Sequence, residues 1–151
     1  MGGFAHTAGE GCISEFFRKH GGDLIWQIGS GYFVCRTSDG RFDSAKFAET
    51  AADDQVKMIE IKLPQGAKPG HGGILLGAKV TKEIAAARGV EIGVDCISPS
   101  AHNEFSTPRE LCTFIGNLRA KNIAHPAFAK YWDSAQAGSF ASAITSNVLA
   151  L

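Results

Sequence analysis

Apolar residues fall into short runs along the chain, and the spacing inside each run predicts an element. VKMIEIKL (Val56 to Leu63) sets Val56, Met58, Ile59 and Ile61 close together, which predicts a buried strand. DLIWQIGSGYFVCR (Asp23 to Arg36) is apolar and aromatic but broken by GSG, which predicts a strand pair or a strand followed by a turn. SDGRFD reads as a turn, and SAKFAETAAD (Ser44 to Asp53) as a short helix around Phe47 with Asp43 as its N-cap. TKEIAAARG (Thr81 to Gly89) reads as a helix capped by Thr81 and ended by Gly89. PRELCTFIGNLRA (Pro108 to Ala120) carries the strongest helical pattern, with Leu111, Phe114, Ile115 and Leu118 on one face. Thr107, Pro108 and Glu110 supply its N-cap, first residue and capping box. Met1 to Gly22 is punctuated by glycine and has little periodicity. After Ala120, KNIAHPAFAKYWDSAQAGSFASAITSNVLAL reads as a short helix around Pro126 to Ser134 and then a small-residue tail. The order of strand, glycine-rich loop, helix, loop and helix predicts an α/β fold whose functional loops leave the C-terminal ends of strands.

Composition narrows the class. With 151 residues the chain can build one domain with a real core, and 44% hydrophobic with 20% charged residues is ordinary for a globular protein. Lys+Arg and Asp+Glu number 15 each, so net charge gives no reason to expect nucleic acid or a membrane surface as partner. No apolar run is long enough to span a membrane. Cys12, Cys35, Cys96 and Cys112 are scattered, with no C-x-x-C pair. MGGFAHTAGEG lacks the basic and apolar regions of a secretory signal, so the expectation is reduced thiols and a cytoplasmic location.

Three groups of residues could carry chemistry. QGAKPGHGG (Gln65 to Gly73) follows the Val56 strand and sets Lys68 and His71 among four glycines. Glycines let backbone N–H groups converge on an anion, and a lysine adds a point charge for a carboxylate or phosphate. The loop is not a Walker-type phosphate loop, because G-x-x-x-x-G-K-[ST] is absent. A surface loop with a solvated lysine fits the same composition, and Arg88, by itself, reads as a surface charge. In AGEGC (Ala8 to Cys12), Glu10 lies between two glycines, where its carboxylate can approach a ligand, orient an amine or relay a proton; a simple turn glutamate is the alternative. His71, His102 and Cys96 match no metal-ligand spacing, so no metal is expected.

Taken together, GGFAHTAGEGCIS, GGDLIWQIGSGYFVCRTSDGRFDSAKFAE, VKMIEIKLPQGAKPGHGGILLGAKVTKEIAAARGV and DCISPSAHNEFSTPRELCTFIGNLR resemble the FMN-binding domain of the glutamate synthase family, above all its stand-alone bacterial form. The resemblance covers about residues 1–120 and is most specific from Val56 to Pro99, leaving 121–151 as a divergent tail. It implies a (β/α)₈ barrel in which 2-oxoglutarate and ammonia give 2-iminoglutarate, and reduced FMN delivers a hydride to make L-glutamate. Carried over by position, Lys68 binds one substrate carboxylate, Arg88 grips the other, and Glu10 stands near the imine carbon. Gly70, Gly72 and Gly73 allow close backbone approach. The larger enzymes take ammonia from glutamine in a separate domain and carry an iron–sulfur cluster, which the cysteines present here do not support.

Departures from the family pattern accompany the match. Cys12 replaces the last glycine of GEGG, Val34 replaces the glycine of GYFGCR, and Leu76 stands where the family has proline. Ile74 occupies the position of a substrate-contacting glutamine of the larger enzymes; stand-alone forms are commonly apolar there. Non-glycine residues at glycine positions predict backbone strain. A whole barrel needs about 250 residues, so the fold expectation is an α/β fragment of one, completed by another chain or cut short by a frameshift near Ala120. Such a fragment would leave sheet edges open, and most flavin contacts would lie outside this chain. Two functions follow: an FMN-dependent glutamate synthase module, or a truncated non-catalytic remnant that at most binds a small anion.

Overall fold

A computed structural model describes residues 4–6, 13–63, 70–120 and 127–130, with 4–6 and 127–130 described as backbone alone. Its main sheet holds strands β1 (Phe4–His6), β2 (Asp23–Ile28), β3 (Val56–Lys62) and β6 (Ala127–Lys130). They lie in the order β1-β2-β3-β6, and every neighbouring pair is parallel. Helices α1 (Glu15–Arg18), α2 (Ser44–Ala51), α3 (Lys82–Arg88) and α4 (Pro108–Ala120) fall between the strands in sequence. Strands β4 (Gly73–Leu75) and β5 (Cys96–Ser98) form a separate antiparallel pair. The protein is therefore mixed α/β, and the described strands close no barrel.

The helix ends follow from local chemistry. Asp43 Oδ1 accepts from the N–H groups of Ala45 and Lys46. Thr81 Oγ1 accepts from Ile84 N, and Gly89 ends α3 in the left-handed region at φ 64°. Thr107 Oγ1 accepts from Glu110 N while the Glu110 carboxylate accepts from Thr107 N, the reciprocal pair of a capping box. Hydrogen bonds from Ser106 and Thr107 hold the Glu110 carboxyl below its ordinary range.

One face of the sheet makes the core. Trp26 and Ile28 of β2 and Ile59 and Ile61 of β3 pack with Phe47 of α2 and with Leu111, Phe114, Ile115 and Leu118 of α4. Trp26 stacks on Phe47 with centroids 5.5 Å apart. Alternation sends Gln27 and Glu60 to the opposite face, where they stand in register, buried, and joined by a 3.1 Å bond from Gln27 Nε2 to Glu60 Oε1. A bulge between Leu24 and Ile25 sets this register. Arg18 pairs with Asp53, tying α1 to the turn before β3; burial pushes Asp53 up, but Arg18 and the Gln55 N–H outweigh it and hold the carboxyl low.

One expectation needs correction. The residues after Ala120 predict a short helix around Pro126 to Ser134; Ala127–Lys130 is instead a strand paired with Ile59–Lys62 of β3. Alanine favours a helix in isolation, and pairing with a parallel neighbour overrides that weak preference. The weak periodicity of the first 22 residues agrees with β1 and α1, elements too short to show a period.

Candidate functional site

The loops after β2 and β3 leave neighbouring parallel strands at the same end, and the segment after β5 joins them there. Ser30 Oγ donates to Pro99 O at 2.6 Å. A Cβ built on Gly31 would lie 2.5 Å from Ser98 Oγ, and one on Gly72 only 2.1 Å from Ser98 O. Gly72 is thus required by the chain's own backbone. Gly70 is required for another reason, its φ of 78°, with no atom within 4 Å of its built Cβ. A Cβ on Gly73 would make an ordinary 3.7 Å contact with Ser98 Cβ.

A buried histidine bolts the loop after β2 to the end of β3. His102 Nε2 lies 2.8 Å from Lys62 O, and Nδ1 lies 3.0 Å from the Tyr32 hydroxyl. A carbonyl only accepts, so Nε2 carries the proton and Nδ1 accepts from Tyr32. Burial lowers the His102 pKa, against the pull of the Lys62 carbonyl, so the ring is neutral near pH 7. Burial likewise raises Tyr32 and the Cys35 thiol, keeping both protonated. Phe105 stacks on the His102 ring at 4.6 Å.

The same loop reaches α3. Val34 N donates to Arg88 O at 2.8 Å, and Val34 Cα lies 3.5 Å from the Cβ position of Gly89. Tyr32 and Val34 adopt positive φ, 47° and 74°. For a β-branched residue the second value is a true outlier, so the strain expected at this position is present. The Arg88 guanidinium sits 4.8 Å above the Phe33 ring, and that of Arg36 lies 5.8 Å from it. Arg36 also donates to Gly31 O at 3.1 Å and to Cys96 Sγ at 2.9 Å.

Contacts therefore run from Arg88 through Phe33 and Gly31 to Ser98, and from Ser98 to Gly72 and Gly73. Of the residues expected to form a site, Arg88, Gly70, Gly72 and Gly73 are placed by the structure, whereas Glu10 and Lys68 lie outside the described residues. Cys35 and Cys96 are buried free thiols, and Cys12 lies outside the described residues. Among the described residues no cluster of His, Cys, Asp or Glu could hold a metal, and no helix is long and apolar enough to cross a membrane.

A family model described as a conserved region in glutamate synthase matches residues 1–149. The chain belongs to the glutamate synthase family. It is 45% identical over 118 residues to the glutamate synthase large subunit-like protein YerD of Bacillus subtilis, covering 78% of this chain and 22% of that protein. It is 35% identical over 123 residues to the archaeal glutamate synthase [NADPH] of Methanocaldococcus jannaschii, covering 81% and 22%. With the chloroplastic ferredoxin-dependent glutamate synthase of Spinacia oleracea the figures are 36% over 111 residues, 74% and 7%. This glutamate synthase family chain thus spans about a fifth or less of these relatives. The family match also runs past Ala120, beyond the residues whose motifs carry the resemblance.

The Tyr32–His102–Lys62 link was not foreseen. His102 had been weighed only as a metal ligand. The available signal was a lone histidine in an otherwise polar loop ahead of an aromatic residue, which more often marks a satisfied structural histidine than a ligand.

Proposed function

We propose that this chain forms part of a (β/α)₈ catalytic domain for FMN-dependent reductive amination of 2-oxoglutarate to L-glutamate. The observation that carries this reading is the convergence of Gly72, Gly73 and the Phe33–Arg88 pair at the C-terminal end of adjacent parallel strands, the end where barrels of this kind place their chemistry. Lys68 and Arg88 neutralise the two carboxylates of the diacid, the planar guanidinium taking one of them through paired hydrogen bonds. Glu10 orients the incoming amine at the carbonyl carbon and moves a proton as the imine forms.

The face of β2 and β3 opposite the core suits a flavin edge, since Gln27, Glu60 and Lys62 stand there beside the apolar Ile25 and Met58. Gln27 and Lys62 would hold the polar rim of the ring. When bound, FMN supplies the hydride that reduces the imine. Most of its other contacts belong to strands outside this chain, supplied by a partner chain or by further sequence, in the cytoplasm.

Titration of the purified chain with FMN and with 2-oxoglutarate tests the proposal. A yellow protein whose flavin absorbance shifts on adding 2-oxoglutarate is the expected result. A colourless protein that still binds the diacid supports the second reading, a non-catalytic remnant, which the open four-stranded sheet favours. Binding of neither ligand removes both.

A further inference from the structure

Phe33 is almost wholly buried, with 2% of its surface exposed, yet it lies in a loop rather than in the core cluster. Its ring is fixed from several sides. Gly31 approaches so closely that a Cβ there would stand 3.3 Å from Phe33 Cε2. The next residue, Val34, holds the Arg88 carbonyl at 2.8 Å through its N–H, at the cost of a left-handed backbone. The Arg88 guanidinium then lies 4.8 Å above the ring. Among the described residues no carboxylate is paired with Arg88.

A guanidinium stacked by its face on an aromatic ring keeps its N–H donors in plane and directed outward. That is the presentation a carboxylate needs for a two-bond grip. A lysine in the same place would have no plane to orient. We propose that Phe33 is the positioning residue for Arg88, holding the guanidinium over its ring so that the outward N–H donors receive the second carboxylate of a dicarboxylate substrate. The strained Val34 serves the same end, because its N–H fixes the backbone of the residue whose side chain is being aimed. This inference rests on the proposed role of Arg88 as the diacid's second anchor.

The test compares wild-type chain with Phe33→Leu, Phe33→Tyr and Arg88→Gln by two measurements. Calorimetric titration with 2-oxoglutarate and with the monocarboxylate 2-oxobutyrate reads the grip. NMR of the arginine Nε–Hε groups reads the stacking. The Arg88 Hε signal of the wild type is expected upfield through the ring current of Phe33, and Phe33→Leu abolishes that displacement. Phe33→Leu weakens 2-oxoglutarate binding by about 3- to 30-fold, the range of a partly desolvated cation–π contact. Phe33→Tyr, which keeps a ring, restores binding, and 2-oxobutyrate affinity stays constant throughout because it lacks the second carboxylate. Equal loss for both acids overturns the proposal, and so does a wild-type Arg88 signal with no ring-current displacement. Undiminished 2-oxoglutarate affinity in Phe33→Leu, with affinity lost in Arg88→Gln, overturns the role of Phe33 alone. Wild-type chain that ignores 2-oxoglutarate overturns the reading of Arg88 beneath it, and the positioning claim falls with it.

Discussion

The loop that leaves β2 and the loop that leaves β3 begin side by side and are built in opposite ways. The first is closed: Tyr32, Phe33 and Cys35 are buried, the Tyr32 hydroxyl donates to His102, and Val34 is tied to α3. In the described part of the second, Gly70 through Gly73 are exposed, and Gly72 alone among its glycines makes a tight contact, with the Ser98 carbonyl. The closed loop accepts two non-glycine residues at positive φ because packing and hydrogen bonds hold them there. The described part of the second loop is exposed and uses glycine at its positive φ instead. On the proposed function, the first loop aims the Arg88 guanidinium and the second admits the ligand.

The strongest test of that contrast is Tyr32→Ala. It removes a fully buried ring and the donor to His102, and should cost about 3–5 kcal/mol in denaturant unfolding. A loss under about 1 kcal/mol would mean that the β2 loop is not held as described. Gly72→Ala comes next: with Ser98 O so near, backbone must shift, at about 1–3 kcal/mol, while Gly73→Ala should change stability by about 0.5 kcal/mol or less. Equal effects at the two glycines would erase the distinction between a required and a permissive position.

The pH dependence follows from His102. Its folded pKa lies below the ordinary 6.5, so the folded state resists protonation. Stability is complete above about 6.5 and is lost as pH falls from there through the lowered folded value, by at most about 1.4 kcal/mol per pH unit for one proton. His102→Gln, whose amide still donates to Lys62 O, should flatten that slope; a slope unchanged in the variant assigns it to another group. Val34→Gly should change stability in the opposite direction. Relief of the left-handed strain outweighs glycine's added chain entropy and yields a gain of about 1 kcal/mol, read as a rise in Tm. A loss would show that the valine side chain, which packs against the core, outweighs its backbone.

Much of the fold could be read from local pattern. β2, β3, α2, α3 and α4 appear where periodicity and caps place them, because Asp43, Thr81, Gly89 and Thr107 act on atoms a few residues away. β4, β5 and β6 could not be read. Each has only three or four residues and exists through pairing with distant sequence, such as Ile74 with Ile97. At the site, strain at Val34 was legible as a missing glycine, since that signal is contained in one residue. The Arg88–Phe33 contact joins the end of α3 to the loop after β2, and nothing in the spacing of GYFVCR announces it.

Strand order has a consequence for how the protein is made. Because β1, β2 and β3 adjoin in the order of translation, each emerging strand meets a partner already released from the ribosome. β6 must wait while the β4–β5 pair and two helices are synthesised, so the flank of β3 stays uncovered on the nascent chain for the whole of that interval.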